Sequence, residues 1–433
     1  MPEPLQAHPL EDAGTPSAEE PRRIVLLLVA MIWYAGFAGA IPYIASPWIA
    51  RSFGLDQSAV ARLFAWIALS ALMSLGLSRM ADRVGRRRVI LWSVSAMPVF
   101  AIAAALSRNL ALFIAFDIAL IACAFGAGSS AIVVIAELLP IDRRAQGQSY
   151  AGLAQALGAG GCVVVMPILV HFGWSWRWLL AITGSGVLLF PALARALPES
   201  ARWERAAAIG DTARTRFRDI FVPLYRRRSI ALTICTLLAN MCGEGITAWP
   251  YFHAVSVVGL SAITSSTMMF LGGGLGLLGF PAGAWGSERF GRVPTVVWAG
   301  VAVAVGGLFF YWGPPRGFLY PALWLCVSLW LLNGVNNAVT VGSLSAVTEL
   351  YPTSLRGTMI GWFTLISAIG SLSAEVLIAT LTKLVGSPSI IIGWLGLLAI
   401  PGAILFGLSI NETRGLPLEA SASEEAFDTR SMS

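Results

Sequence analysis

The sequence has little charge and few cysteines. Only 12% of its 433 residues are Asp, Glu, Lys or Arg, about half the share found in soluble domains. Because 57% of the residues are hydrophobic and the mean hydropathy is +0.74, a water-soluble globular fold is excluded. The five cysteines fall inside apolar runs without disulfide or metal-ligand spacing, so we expect no metal site and no cofactor. No nucleophile–base pair stands out either, and an enzyme is not predicted.

Twelve apolar runs of roughly 20 residues, each long enough to cross a bilayer core, follow one another along the chain. Backbone groups in lipid must be paired within their own segment, so each run is predicted to be a helix. We therefore predict an all-α membrane protein with two pseudo-symmetric six-helix bundles. The expected segments are a disordered cytoplasmic tail (1–21), an N-terminal bundle (22–197), a cytoplasmic linker (198–228), a C-terminal bundle (229–412) and a cytoplasmic tail (413–433).

The net charge of +6 is carried by arginines in particular loops. They are concentrated before the first apolar run, between the second and third, after the fourth, and in the 198–228 stretch. This is the positive-inside distribution of multi-pass membrane proteins, and it predicts an inner-membrane protein with both termini in the cytoplasm. The lipid bilayer, rather than nucleic acid, is the partner that this charge indicates, and we expect a monomer.

Short charged motifs occur twice, once in each half of the chain. Internal repetition of this kind is typical of transporters built from two related bundles. The need for positive charge to orient the protein in the membrane explains the arginines. It does not explain why acidic residues recur at the same spacing in both halves. We therefore predict a cytoplasmic gate, a set of charge networks that hold one side shut and break when the halves rock. The predicted gate comprises Asp82, Arg83, Arg86, Glu137, Arg144, Glu199, Arg202, Glu288, Arg289, Arg292, Glu349, Arg356 and Glu412.

Polar side chains inside the apolar runs are the candidate functional residues, because each costs free energy unless it faces water or a partner. In the seventh run, Asn240, Glu244 and Thr247 recur at steps of three and four, which places them on one face of a helix. The alternative to a functional role is a structural one, in which a buried carboxyl is hydrogen-bonded by hydroxyls or an Asn joins two helices. The proton-coupling candidates are Asp117, Glu244 and Glu375. The substrate-binding candidates are Tyr34, Gln155, Asn240, Asn333, Asn336 and Asn337.

The middle of every apolar run lacks Lys and Arg. A site for organic anions would normally supply a cation to pair with the ligand. Carboxyls without a buried cation fit a neutral or cationic substrate, or a carboxyl that titrates to couple transport to protons.

Several motifs resemble those of the major facilitator superfamily, and in particular its sugar porter and metabolite/proton symporter branch. They are Asp82-Arg83-x-Gly85-Arg86-Arg87 after the second run, Pro198-Glu199-Ser200-Ala201-Arg202-Trp203 after the sixth, Glu349 to Gly357 after the tenth, and Asn411-Glu412-Thr413-Arg414-Gly415-Leu416 after the twelfth. The resemblance implies alternating access around a central site lined by helices one, four, seven and ten. Two positions depart from the pattern: Asp117 stands where many relatives carry Arg, and Ala239-Asn240 replaces paired glutamines typical of hexose carriers.

Together these patterns predict a secondary active transporter that takes up a small-molecule metabolite with protons. Two alternatives remain open. One is proton-driven efflux of cationic or apolar compounds, and the other is a membrane sensor that binds without transporting.

Overall fold

The computed structural model describes residues 19–139, 144–199, 217–313, 320–351, 353–412 and 414. Within these ranges the regular structure is helical, and twelve helices are long and apolar enough to cross a membrane. The predicted all-α fold with twelve spans is therefore confirmed. We number the helical spans 1 to 12. The face that holds the start of span 1 and the end of span 12 is called the inner face, and the opposite one the outer face.

Spans 1 to 6 form the first half. Short connections join them, and Asp56 begins span 2 by accepting a hydrogen bond from the Ala59 N–H at 2.7 Å, as an N-cap does. Span 6 contains a 3₁₀ stretch at Ser185–Leu189. The spans are Arg22–Ile44, Gln57–Ala81, Arg86–Leu106, Leu110–Ile135, Ser149–His171 and Trp178–Ala196.

Spans 7 to 12 form the second half. The helix of span 7 begins at Pro223, inside the stretch that the sequence predicted to be linker, and it is interrupted at Trp249 and continues as a π-helix at His253–Val257. Span 8 also contains a π-helical turn, at Met269–Gly273. The spans are Pro223–Val257, Ala262–Arg289, Arg292–Tyr311, Pro321–Ser343, Thr358–Val385 and Pro388–Ser409.

The two halves repeat the same helix pairings. Span 1 packs on span 5 and span 2 on span 4, while span 7 packs on span 11 and span 8 on span 10. Small residues permit these close approaches, since a Cβ on Gly158 would overlap the Trp33 carbonyl and one on Gly279 would overlap the Gly334 carbonyl. The repetition makes the halves pseudo-symmetric, as the duplicated motifs predicted.

The halves meet along spans 2 and 11 and at the outer ends of spans 1, 5, 7 and 8. Aromatic rings make part of the outer contact. The Phe64 and Trp249 rings lie 4.7 Å apart between centroids, and those of Trp48 and Tyr251 lie 6.1 Å apart. These contacts close the outer face between the two halves.

Candidate functional site

A cavity of about 540 Å³ lies in the second half, bounded by spans 7, 9, 10, 11 and 12. It extends from the inner thirds of spans 10 and 11, at Ser343 and Ile360, to Glu244 in the outer half of span 7. Its wall is apolar over much of its area and carries one band of polar groups. The polar side chains of the wall are Thr236, Asn240, Glu244, Thr247, Asn336, Thr340, Ser343, Thr364 and Ser367.

The polar stripe of span 7 forms one side of this cavity. Thr236, Asn240, Glu244 and Thr247 all line it, because residues three and four apart share a helix face. Asn336 and Thr340, four apart on span 10, line the opposite wall. Two of the six predicted substrate ligands, Asn240 and Asn336, are thus on the cavity wall.

The other four predicted ligands lie elsewhere in the described part of the chain. Asn337 donates from Nδ2 to the Gly276 carbonyl at 3.0 Å and so joins span 10 to span 8, and Asn333 packs against the same glycine. The Tyr34 hydroxyl lies 3.1 Å from Ser185 Oγ. Gln155 has an exposed side chain, and its backbone packs against span 1. Asn337, Asn333 and Tyr34 therefore make contacts between helices in this structure.

Glu244 lies at the outer end of the cavity and touches both halves of the protein. Its carboxylate accepts a hydrogen bond from the Tyr43 hydroxyl of span 1 at 3.4 Å, and it lies close to Ser371 of span 11. The side chain is half-buried. A single carboxyl therefore belongs both to the cavity wall and to the contact between the halves.

Glu375 is fully buried near Glu244, one helical turn from Ser371. Trp249 Nε1 donates to both of its carboxylate oxygens, at 3.1 and 3.2 Å. The same indole packs against Phe64 of the first half. Glu375 therefore positions an aromatic ring that helps to close the outer face.

Asp117 lies two turns from the outer end of span 4 and is fully buried. Within the described part of the chain, neither of its carboxylate oxygens has a hydrogen-bond partner. An ionised carboxylate in such surroundings costs several kcal/mol unless it is paired. The structure therefore places Asp117 apart from the cavity, in surroundings where the ionised form of its carboxyl is unfavourable.

Span 7 is interrupted at Trp249, five residues after Glu244. Pro250 has no N–H, so the Ile246 carbonyl lacks the partner that an unbroken helix would supply. The Tyr311 hydroxyl of span 9 donates to this carbonyl at 2.6 Å. Sequence reasoning missed Tyr311, and also Tyr43 and Trp249, because the partners of these rings lie on other spans.

At the inner face, two carboxylates occupy equivalent places in the two halves. Glu199 accepts from the Arg87 N–H at 3.1 Å, and Glu412 accepts from the N–H groups of Arg292 and Val293 at 2.9 and 3.0 Å. Each carboxylate thus satisfies free N–H groups at the start of span 3 or span 9 and lies at the positive end of the helix dipole.

The other described members of the predicted gate also make contacts within their own half. Arg86 forms an ion pair with Glu137, and the Arg289 guanidinium lies over the Trp285 ring. Arg83 and Glu288 are exposed. The side chains of five members lie outside the described residues, namely Asp82, Arg144, Arg202, Glu349 and Arg356. A gate that joins the two halves therefore stays a prediction.

Twelve spans in two related halves, with a cavity that carries a band of polar groups and extends toward the inner face, are typical of a membrane carrier. The chain matches the family model of the Major Facilitator Superfamily over residues 26–375, and it belongs to that superfamily. The predicted resemblance is thereby confirmed.

Individual relatives agree with this assignment. The chain is 26% identical to a gentisate transporter of Corynebacterium glutamicum, over 71% of this chain and 69% of the relative. It is 24% identical to a gallate transporter of Pseudomonas putida, over 82% and 84%. The crystal structure of a D-xylose-proton symporter superposes with a TM-score of 0.72 at 18% identity, covering 92% of this chain and 99% of that one. The protein is therefore a transporter of small organic metabolites and not an enzyme.

Proposed function

We propose that the protein moves a small organic metabolite across the inner membrane by alternating access and couples uptake to protons through Glu244. One observation carries this proposal. Glu244 is the only acidic or basic side chain among the described residues of the cavity wall, and it is bonded to Tyr43 of the opposite half. A change in its protonation therefore acts on the substrate cavity and on the contact between the halves together.

The described contacts suggest how the coupling works. In this structure Glu244 faces a cavity that reaches the inner face, while Tyr43 and the Phe64–Trp249 pair close the outer face. Rocking of the halves to open the outer face would separate these groups and expose Glu244 to the outer solution. A proton bound there on the outside would be released on the inside after the halves return.

The names of similar proteins support the general class of this activity. The gentisate and gallate transporters carry small aromatic metabolites by name, and the xylose carrier is named a proton symporter. The identities are low, so the names support small-molecule transport with proton coupling rather than one substrate.

Purified protein in liposomes with an imposed pH gradient tests the proposal. We would assay a panel spanning three charge types: gentisate, D-xylose and 4-hydroxybenzylamine. In the wild type, the pH gradient should drive accumulation of a transported compound. Glu244→Gln should abolish gradient-driven accumulation while still exchanging that compound across the membrane.

The matched control is Asp56→Asn, which removes a carboxylate at the outer face of span 2 and keeps an N-capping side chain. It should accumulate the compound as the wild type does. Accumulation by Glu244→Gln at the wild-type level would refute coupling through this residue.

Efflux of cationic compounds in exchange for protons is a second candidate. It is favoured by the cavity wall, whose described residues carry a carboxyl and no basic side chain. The direction of the pH gradient that drives accumulation in the liposomes distinguishes uptake with protons from exchange against them.

A further inference from the structure

We infer that the cavity binds organic cations, with a protonated amine of the ligand paired to the Glu244 carboxylate. The inference rests on the proposed function in one respect, namely that this cavity is the transport site. It goes further by assigning the charge and hydrogen-bonding character of the ligand. It also differs from the acids named for the gentisate and gallate transporters.

The first argument is charge. Among the described residues of the wall, Glu244 is the only acidic or basic side chain. Two charges of like sign within about 4 Å of each other repel more strongly in a partly buried site than in water. A ligand carboxylate beside Glu244 would meet this repulsion, and the described wall residues hold no cation to offset it. A ligand ammonium would gain the corresponding attraction.

The ionisable groups around Glu244 lead to the same conclusion. Tyr43 on span 1 and Glu375 on span 11 interact electrostatically with Glu244, and Asp117 on span 4 interacts in the same way with Tyr43. Each of them is an acid. None can act as the counter-ion of an anionic ligand, and none carries a positive charge that would compete with a ligand ammonium for the Glu244 carboxylate.

The second argument is the direction of the hydrogen bonds in the wall. Thr247, Thr340 and Thr364 each donate to a carbonyl four residues earlier in their own helix, at 2.8, 3.0 and 2.8 Å. Their hydrogens are thus engaged, and their oxygen lone pairs remain as acceptors. Asn240 likewise donates from Nδ2 to the Thr236 carbonyl at 2.8 Å, which leaves its side-chain oxygen as an acceptor.

A cavity wall rich in acceptors favours a ligand rich in donors. An ammonium has three N–H donors and no acceptor. Asn240, Glu244 and Thr247 follow at steps of four and three on the same face of span 7, so the Cβ atoms that carry successive acceptors lie about 5 to 6 Å apart. The 3.4 Å contact from Tyr43 leaves Glu244 further acceptor sites.

The rest of the wall indicates the body of the ligand. Val339, Ile360, Phe363 and Phe406 are apolar and lie toward the inner face. A cavity of about 540 Å³ is within the usual range of small-molecule sites. An aromatic or alkyl amine therefore matches both the polar outer end and the apolar inner part.

Binding of an ammonium to Glu244 has a consequence for coupling. The ligand and a proton compete for one carboxylate, so protonation of Glu244 releases the cation. If the inferred cation is the transported compound, the second candidate function, exchange against protons, therefore applies in place of uptake with protons.

Thermal unfolding of the purified protein in detergent, with matched ligands, tests the inference. The probes are 4-hydroxybenzylamine, 4-hydroxybenzyl alcohol and 4-hydroxybenzoate, which share a ring and differ in charge, together with further amine and carboxylate pairs on alkyl and aryl skeletons. Amines should raise the unfolding temperature of the wild type, because a ligand that binds the native state stabilises it, and their carboxylate partners should not.

Glu244→Gln should weaken amine binding by about tenfold or more, as expected for the loss of a charge-assisted hydrogen bond. Asp56→Asn, which removes a carboxylate far from the cavity, should bind amines as the wild type does. Lowering the pH should weaken amine binding in the wild type and have little effect in Glu244→Gln.

Three results would overturn the inference: carboxylates that bind as tightly as their matched amines, an amine affinity that Glu244→Gln leaves unchanged, or a panel in which no amine binds. Transport of a carboxylate by the wild type would refute the cationic ligand and leave the transport proposal intact. An amine that binds through Glu244 but is never translocated in liposomes would instead refute the transport proposal alone.

Discussion

Replacing Tyr311 by Phe should destabilise the protein mainly through the Ile246 carbonyl, which lies closer to the Tyr311 hydroxyl than the Gly245 carbonyl does, at 2.6 against 3.3 Å. The Ile246 carbonyl has no helical partner because Pro250 lacks an N–H, and the Tyr311 hydroxyl, 2.6 Å away, is its donor. Both hydroxyl and carbonyl are buried. Leaving a buried acceptor unsatisfied costs about 1–3 kcal/mol. Phe keeps the ring, and with it the packing against His253 and Phe310 at 5.3 and 4.8 Å between centroids.

Thermal unfolding in detergent measures the effect. For a cooperative unit of 150–250 residues, each kcal/mol lowers Tm by roughly 2–4 °C, so Tyr311→Phe should lower Tm by several degrees. Tyr34→Phe is the matched control. The Tyr34 hydroxyl meets Ser185 Oγ, whose own hydrogen can be donated to the Ile182 carbonyl at 2.6 Å, so its removal leaves no orphaned carbonyl and should cost less.

A double-mutant cycle separates this explanation from general damage to packing. Pro250→Ala restores an N–H at the position from which a helix would donate to the Ile246 carbonyl. In that background Tyr311→Phe should cost much less than in the wild type, since the carbonyl then has a second donor. An equal cost in both backgrounds, or no cost in the wild type, would refute the reasoning.

Three further predictions concern other contacts. Glu412→Gln should lower Tm, because charge-assisted hydrogen bonds to the start of span 9 are worth about 1.5–3 kcal/mol; an unchanged Tm would contradict the cap seen at 2.9 and 3.0 Å. Cysteines at Phe64 and Trp249, in a variant whose five native cysteines are replaced, should stop transport when they are joined by a bifunctional thiol reagent with a reducible spacer, since these rings close the outer face; full transport by the cross-linked protein would count against this closure. The hydrogen bond from the Ala59 N–H is the largest cause that holds the pKa of Asp56 below its usual value. The contribution of Asp56 to stability is therefore present above the pKa of Asp56 in the unfolded chain and is lost as the pH falls through the lower pKa of the folded state. The difference in Tm between the wild type and Asp56→Ala should therefore shrink on acidification, and a constant difference would rule out the charged cap.

The helices and their division into two halves follow from local properties of the sequence. Twelve spans were predictable because the length and apolar character of each run decide whether it can cross a bilayer. The polar stripe of span 7 was predictable for a similar reason: Asn240, Glu244 and Thr247 share a face of any α-helix, whatever surrounds it.

The roles of neighbouring amides were not predictable in this way. Asn333, Asn336 and Asn337 lie within two turns of span 10, yet Asn336 lines the cavity while Asn337 bonds to span 8. Helical periodicity gives the angle between two side chains but not the direction of either one. The position of span 8, which approaches span 10 through glycines, decides which amide faces the cavity.

The duplicated acids at the inner face show a similar division. Their repetition indicated a shared structural task in both halves, and the structure shows Glu199 and Glu412 each capping a helix of its own half. Nothing in the motif states whether a carboxylate will meet an arginine or a backbone N–H. That choice depends on where the end of span 6 or span 12 lies relative to the start of span 3 or span 9.

The sequence by itself determined a helical membrane protein with two related halves, because hydropathy, helical period and repetition are properties of contiguous segments. Only the tertiary structure decided that Glu244 meets Tyr43, that Glu375 holds Trp249, and that Tyr311 donates to the broken helix of span 7. These contacts join residues far apart in the chain. Within an apolar span, the local sequence pattern is the same for an aromatic residue that packs in the core and for one that donates a hydrogen bond across an interface.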